Sequence, residues 1–426
     1  MHVPFCRKLL AGTACVLALN AASLHAQDAG PPGATLESLL SYAREHNPEL
    51  RAMQLEAEAA TERIYPAGAL PDPKFRNEFR DITRMEEQNA TLLPARVGSN
   101  RYLLMQDVPW FGKRDLKRDV ARLDAEGVQG RAHGVWHDIA TRIKLAYVQL
   151  YFTQANERLA TEILGLMGQL ERVAQARYAG GLAAQQDVIR AQIEQTTMRN
   201  ELVALAAEQH HLRTRLNGLL ARPAQAPLAP PQTLRPLPPP AKLDYAELEA
   251  RLRSRNPALA TEESRVQSAE KSRDLAFRNR YPDFTFGLAP IQYRNSVREW
   301  ELMVEMNIPL QQKTRRSQER EAEAMLAAAK ARREATANQA VAELVESAAA
   351  LNAARRTEAL VKTSLLPQAD LTFQSALAGY QNGKVDFATL LDAQRQIRTA
   401  RQQQLKAEQE LHTRLAEIER LLGDDL

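Results

Sequence analysis

Few side chains in this sequence of 426 residues are spaced for chemistry. His133 and His137 stand four apart in a helical run, with Asp138 beside them. That spacing sets two imidazoles on one helix face, where they can share a metal ion. No third ligand accompanies them, and the adjacent pair His210 and His211 must face different ways. A solvated helix face is the better reading, so neither a metal site nor a cofactor is assigned. Late in the chain, Tyr380, Lys384, Asp386 and Asp392 fall within about three helical turns. If copies of the chain converged there, inward aspartates would form a ring that attracts cations in a narrow pore. On the residues alone, ordinary solvated charge at a turn is the stronger reading. There is no glycine-rich phosphate loop and no Ser-His-Asp spacing, and both cysteines, Cys6 and Cys15, lie in the first 26 residues. The pattern is not that of an enzyme.

The elements that must position these groups are long helices. The chain is 44% hydrophobic, 25% charged and only 5% aromatic, a balance that excludes a polytopic helical membrane protein and favours extended helical packing. Acidic and basic residues are interspersed, with no basic patch of the kind that binds nucleic acid. Residues 1–26 have Arg7 and Lys8, an apolar stretch from Leu9 to Leu24, and Ala26 as a small residue before Gln27. They read as a secretory signal peptide cleaved before Gln27. Gly12-Thr13-Ala14 is a poor context for lipidation of Cys15. No later stretch reaches the roughly 20 apolar residues of a membrane helix.

The remainder is written twice. Asn47-Pro48 recurs as Asn256-Pro257 at an offset of 209, the proline of QDVPW (Gln106 to Trp110) recurs in MNIPL (Met306 to Leu310) at 200, and Tyr178 recurs as Tyr380 at 202. The first repeat is expected over 27–222, with a β-hairpin at about 73–109 and a helical hairpin tip at about 179–183. The second is expected over 241–426, with a β-hairpin at about 281–309 and a tip at about 380–386. Between them, residues 223–240 hold eight of the 22 prolines and form an extended linker. Ile189, Ile193, Met198, Leu202, Leu205, Leu212, Leu216 and Leu219 keep mostly three–four spacing, as do Leu411, Leu415, Ile418 and Leu422. This is coiled-coil packing. A helix from Lys113 to Arg177 would be about 100 Å long. Pro367 is expected to kink its helix, and Gly165, its counterpart at the 202 offset, to weaken the first one at the same height.

Before each long helix the period changes to two. Trp300, Leu302, Val304, Met306 and Ile308 alternate with Glu299, Glu301, Met303, Glu305 and Asn307. Strands of about ten residues with one apolar and one polar face suit a transmembrane barrel around water. Glu299, Glu301 and Glu305 then become lumen candidates that favour cations. Four strands cannot close a barrel, whose smallest form has about 8, so several chains must share one. Met303 and Met306 fall on opposite faces, which gives no methionine ladder for a soft metal.

With these features in hand, the chain resembles the TolC-type outer-membrane efflux channels from about Thr35 to Leu422. The most specific motifs are RYAGGLAAQQDVIRAQ, GYQNGKVDFATLLDAQR and QDVPWFGKR. The last of these, with LLPQA around Pro367, resembles the heavy-metal and cation efflux branch. The resemblance implies a mainly α fold with a small β part: long antiparallel helical hairpins in a coiled-coil tunnel, and four transmembrane strands per chain. It implies a homotrimer sharing a barrel of about twelve strands, set in outer-membrane lipid of a Gram-negative bacterium with a large periplasmic part. Implied partners are a periplasmic adaptor and an inner-membrane pump of the proton-driven cation type. The function implied is a passive exit duct for metal cations. Tyr380 and Asp392 match the family's periplasmic gate pattern. Lys384 stands one place early for its basic residue, with Val385 at the expected position, and Thr389 replaces a further aspartate, with Asp386 three residues before it. Gly180, Gly181, Leu182 and Gly383 are the tip positions that would touch the adaptor. The competing reading is a soluble periplasmic coiled-coil adaptor or scaffold.

Overall fold

The computed structural model describes residues 31–87 and 89–426; the secretory segment expected over 1–26 lies outside the described residues. Short helices come first: α1 (Leu36–His46), α2 (Pro48–Glu62) and α3 (Ile64–Gly68). The strand pair β1 (Lys74–Arg80) and β2 (Ser99–Val108) follows, then the long α4 (Lys113–Ala179) and α5 (Gln185–Leu219). The second repeat runs through α6 (Tyr245–Arg255), α7 (Pro257–Arg278), β3 (Phe284–Tyr293), β4 (Ser296–Met306) and α8 (Gln312–Leu360). A π turn (Val361–Leu365), α9 (Leu366–Gln381) and α10 (Phe387–Leu422) complete it. The fold is mainly helical with a small antiparallel sheet, as the sequence implied.

Local chemistry sets the boundaries. In both repeats an Asn-Pro pair opens a helix: Asn47 Oδ1 accepts from the Glu49 and Leu50 amides, and Asn256 Oδ1 accepts from the Leu259 amide at 2.9 Å. Proline suits the first helical position because its missing N–H has no partner there anyway. Pro367 acts as expected on the second-repeat helix. Its ring cannot donate to the carbonyl four residues back, and the chain loosens into the π turn just before it. In the first repeat, α4 continues as helix through Gly165 over 67 residues. A single glycine costs about 1 kcal/mol of helix propensity, too little to break so long a helix.

The chain divides into two compact units. One comprises the segment up to His46, Ala146–Pro236 and Gly379–Thr389. Here Tyr147 is buried, and its hydroxyl donates to the carbonyls of Ala34 and Thr233 at 3.0 and 2.8 Å. Burial pushes that phenol up to about 12. The proline-rich linker is thereby pinned to α4, and the Gln232 amide reaches the Ala34 carbonyl. On α5, Met198, Leu212 and Leu216 of the expected seam are buried, while Ile189 and Ile193 are exposed.

The other unit comprises Asn47–Leu145, Leu237–Ala378 and Leu390–Leu426. It holds the whole sheet, in the order β1-β2-β3-β4 with every pair antiparallel. Its helical core includes Leu248, Leu252, Leu344, Leu351, Leu411 and Ile418. Beside that core, Lys144 Nζ lies 2.6 Å from both Glu419 and Asp425, and the Lys144 and Glu419 side chains are 8% and 4% exposed. Truncating one partner of such a pair leaves a buried charge alone. Lys144→Met is therefore expected to destabilise the protein by about 3–5 kcal/mol. Lys144→Met with Glu419→Met should recover most of that loss, as read from unfolding midpoints in urea.

Candidate functional site

Both helical hairpin tips are built by one hydrogen-bond pattern. At the first, the Leu182 amide donates to the Arg177 carbonyl at 2.8 Å; at the second, the Lys384 amide donates to the Gly379 carbonyl at 2.8 Å. Gly181 and Gly383 sit at φ of +71° and +72°, a conformation that side chains rarely adopt. The 202-residue offset thus holds down to individual dihedrals. Gly180, Gly181, Leu182 and Gly383 all lie at these turns, and Leu182 is 71% exposed.

The two tips differ where the repeat has diverged. Arg177 corresponds to Gly379. At Gly379 a Cβ would meet Val385 Cγ2 at 2.6 Å, so the chain there folds tightly on itself. Arg177 instead reaches across to the second tip. Its Nη1 donates to the Tyr380 and Gln381 carbonyls at 2.6 and 2.9 Å, and its guanidinium lies 5.0 Å over the Tyr380 ring. A cation capping the last carbonyls of α9 also suits the negative end of that helix. Arg177 was legible only as the first letter of a tip motif. The available signal was a basic residue in the last turn of α4 aligned with an obligate glycine.

Tyr380 is buried at 3% exposure, and its ring packs on Phe387 at 5.2 Å. Among the described residues its hydroxyl has no hydrogen-bond partner. Burial, and then the Asp187 charge, pushes the phenol up. Tyr380 therefore lies inside the tip, while its counterpart Tyr178 is 48% exposed. Asp386 is exposed and caps α10: Oδ1 accepts from the Thr389 amide at 2.9 Å and from its hydroxyl at 2.6 Å. The Thr389 hydroxyl, then its amide, hold this carboxyl below the usual carboxylate range. Asp187, not singled out from the sequence, has its carboxyl raised by burial and further by Asp386. Lys384 is exposed at the turn. Asp392, on α10, is exposed and lies 3.8 Å from Arg395. Nothing here pairs a nucleophile with a base; the tip can attract, repel or block charge.

The sheet has two unlike faces. On one, Phe75, Leu104, Phe286, Leu288, Trp300, Leu302 and Val304 are all exposed and lie in cross-strand rows. On the other, Arg101 pairs with both Glu301 at 2.7 Å and Glu78 at 3.2 Å, Lys74 pairs with Asp107 at 2.7 Å, and the Tyr293 hydroxyl lies 3.3 Å from Glu299. Glu305 stands opposite Thr285. The polar face is balanced: the basic residues Lys74, Arg76, Arg80 and Arg101 stand among Glu78, Asp107, Glu299, Glu301 and Glu305. Met303 lies on this face in the row of Met105 and Gly287, and Met306 lies on the apolar one. Where the strands meet the helices, Trp110 stacks on Tyr281 at 5.1 Å, and Asp283 accepts from Lys113 Nζ and the Trp110 amide, both at 2.8 Å.

His133 and His137 lie on α4, where burial first and then the Lys144 charge lower the His137 pKa. Among the described residues no cluster of three or more histidine, cysteine or carboxylate side chains could hold a metal ion.

Residues 249–424 match the family model described as outer membrane efflux protein. The whole architecture matches solved channels. The chain superposes on CusC with a TM-score of 0.78 at 18% identity, covering 94% of this chain and 96% of that one. It superposes on the outer-membrane channel OprN at 0.75 and 21% identity, covering 91% and 89%. For the outer membrane protein VceC of Vibrio cholerae the values are 0.76 and 17%, covering 92% and 96%. The chain therefore has the fold of the TolC-type outer-membrane efflux channels. A curated relative, the cobalt-zinc-cadmium resistance protein CzcC of Cupriavidus metallidurans, is 25% identical over 403 residues, or 93% of this chain and 91% of that protein.

Arg177 is the side chain that ties one tip to the other. Arg177→Gln should loosen Gly379–Thr389 by about 2–3 kcal/mol, the worth of charge-assisted hydrogen bonds and a cation–π contact. Hydrogen exchange of the backbone amides in that segment should accelerate at least about tenfold, while those of α10 below it stay unchanged.

Proposed function

We propose that the chain is the exit duct of a tripartite efflux system and works as a homotrimer. Three four-stranded sheets would close one barrel, and the helical hairpins would form the periplasmic tunnel. One observation carries this reading: β1 and β4 each pair on one side only, in a sheet whose apolar face is exposed. Hydrocarbon tolerates no open sheet edge, so strands of other copies must pair there. A soluble periplasmic adaptor has no use for such a face. In mild detergent the protein is expected to have the mass of three chains once the micelle is subtracted. A monomer that stays soluble without detergent would refute the duct and favour the adaptor reading.

Energy and cargo selection would come from an inner-membrane pump reached through a periplasmic adaptor that docks on the tips at Gly180, Gly181, Leu182 and Gly383. Metal cations are the preferred cargo, because the curated relative is a cobalt-zinc-cadmium resistance protein. The balanced polar face of the sheet supports little charge selection in the barrel. Selection by charge would then fall to the periplasmic entrance: Asp386 is exposed near Lys384 at the tip, Asp392 is exposed on α10, and Tyr380 would serve from within the tip.

Asparagine keeps the capping function of Asp386 and removes its charge. Asp386→Asn with Asp392→Asn is expected to lower the cation-to-anion permeability ratio about twofold or more in planar bilayers. Unchanged reversal potentials would exclude the aspartates from the gate. Deleting the gene should lower tolerance to cobalt, zinc or cadmium salts; loss of tolerance to organic compounds alone would reassign the cargo.

A further inference from the structure

Four crossings of the chain pass the same end of the sheet; the entry to β1 carries Asp72 and the paired Lys74, and the other three share a pattern. β2 leaves it for α4, α7 feeds β3, and β4 leaves it for α8. Each of these three shows the same order of side chains. Large apolar groups come next to the strand: Phe111 after β2, Tyr281 before β3, and Ile308 and Leu310 after β4, with exposures of 80%, 46%, 59% and 79%. Within about two helical turns, some 10 Å, an exposed cation follows. These cations are Lys117, Arg278, Lys313 and Arg316.

Among the described residues none of the four has a carboxylate within ion-pair distance. The nearby acids lie closer to other cations: Asp115 to Arg118, Asp283 to Lys113, and Glu319 to Arg280, while Lys117 and Arg316 act on Asp283 and Glu319 only from beyond ion-pair distance. Farther along α8 the signs even out, with Glu321 and Glu323 following Arg320. Lys117, Lys313 and Arg316 sit in the opening turns of the two long helices, where the positive end of the helix dipole disfavours a cation. Both repeats hold such charges against their own helices, an arrangement that an external anion would relieve.

We propose that this end of the sheet is a binding surface for anionic phospholipid in the periplasmic leaflet. The exposed Phe111, Tyr281, Ile308 and Leu310 enter the edge of the hydrocarbon. Lys117, Arg278, Lys313 and Arg316 then meet lipid phosphodiesters in a headgroup layer about 5–7 Å thick. The phosphate charge accounts for the unpaired cations, and the apolar rim beside them selects a lipid over a free anion. The inference rests on the sheet spanning the membrane.

The test uses the full-length protein and a variant carrying Lys117→Gln, Arg278→Gln, Lys313→Gln and Arg316→Gln. Flotation with phosphatidylcholine vesicles reports membrane insertion separately. If the unaltered protein fails to float, the membrane reading falls and the lipid surface with it. Thermal unfolding is then followed in detergent with added phosphatidylglycerol, phosphatidylcholine or inorganic phosphate. Phosphatidylglycerol should raise the midpoint of the unaltered protein by a few degrees over phosphatidylcholine. Its apparent affinity should fall about tenfold in the variant, and also at high salt. Equal effects of the two lipids, an unchanged variant that still floats, or equal stabilisation by inorganic phosphate would each overturn the proposal.

Discussion

Backbone amides and carbonyls buried away from water must find partners, and this chain leaves two rows of them open. β1 and β4 are both edges of a four-stranded sheet, and the apolar face that runs across all four strands is exposed. Among the described residues no helix is long and apolar enough to cross a membrane. Four strands curve through only part of a barrel. Open edges of this kind call for pairing strands wherever water is excluded.

Duplication is the economy by which the chain makes two hairpins from one plan. The tips keep the same backbone pattern, down to the positive φ of Gly181 and Gly383. Function can then be placed where the copies differ. Arg177 faces a position that is glycine in the other repeat. Tyr380 is buried where Tyr178 is exposed, and Asp386 caps α10 where Ala184 offers α5 no side-chain cap. The second tip depends on the first for the capping of its own carbonyls, so the two cannot move independently without breaking hydrogen bonds to a charged donor.

Pairing also changes the meaning of the acidic strand face. Glu299, Glu301 and Glu305 suggest a cation-attracting lumen when one strand is taken alone. Arg101 from a neighbouring strand neutralises Glu301, and the remaining charges nearly cancel. Charge that cancels within one face gives little net field beside it.

The sequence by itself determined everything governed by spacing of a few residues. Period two marked the strands, three–four spacing and the absence of proline marked the long helices, Asn-Pro marked helix starts, and glycine marked the tips. Repetition of those signals revealed the duplication. Arg177 contacts Tyr380 across 203 residues, Arg101 meets Glu301, and Lys144 meets Glu419 across 275. Only the tertiary structure decided these contacts, because a side chain's partners depend on packing between distant segments, which no local period encodes. The burial of Tyr380 and the continuity of α4 through Gly165 belong to the same class: each is the balance of a weak local preference against many distant contacts.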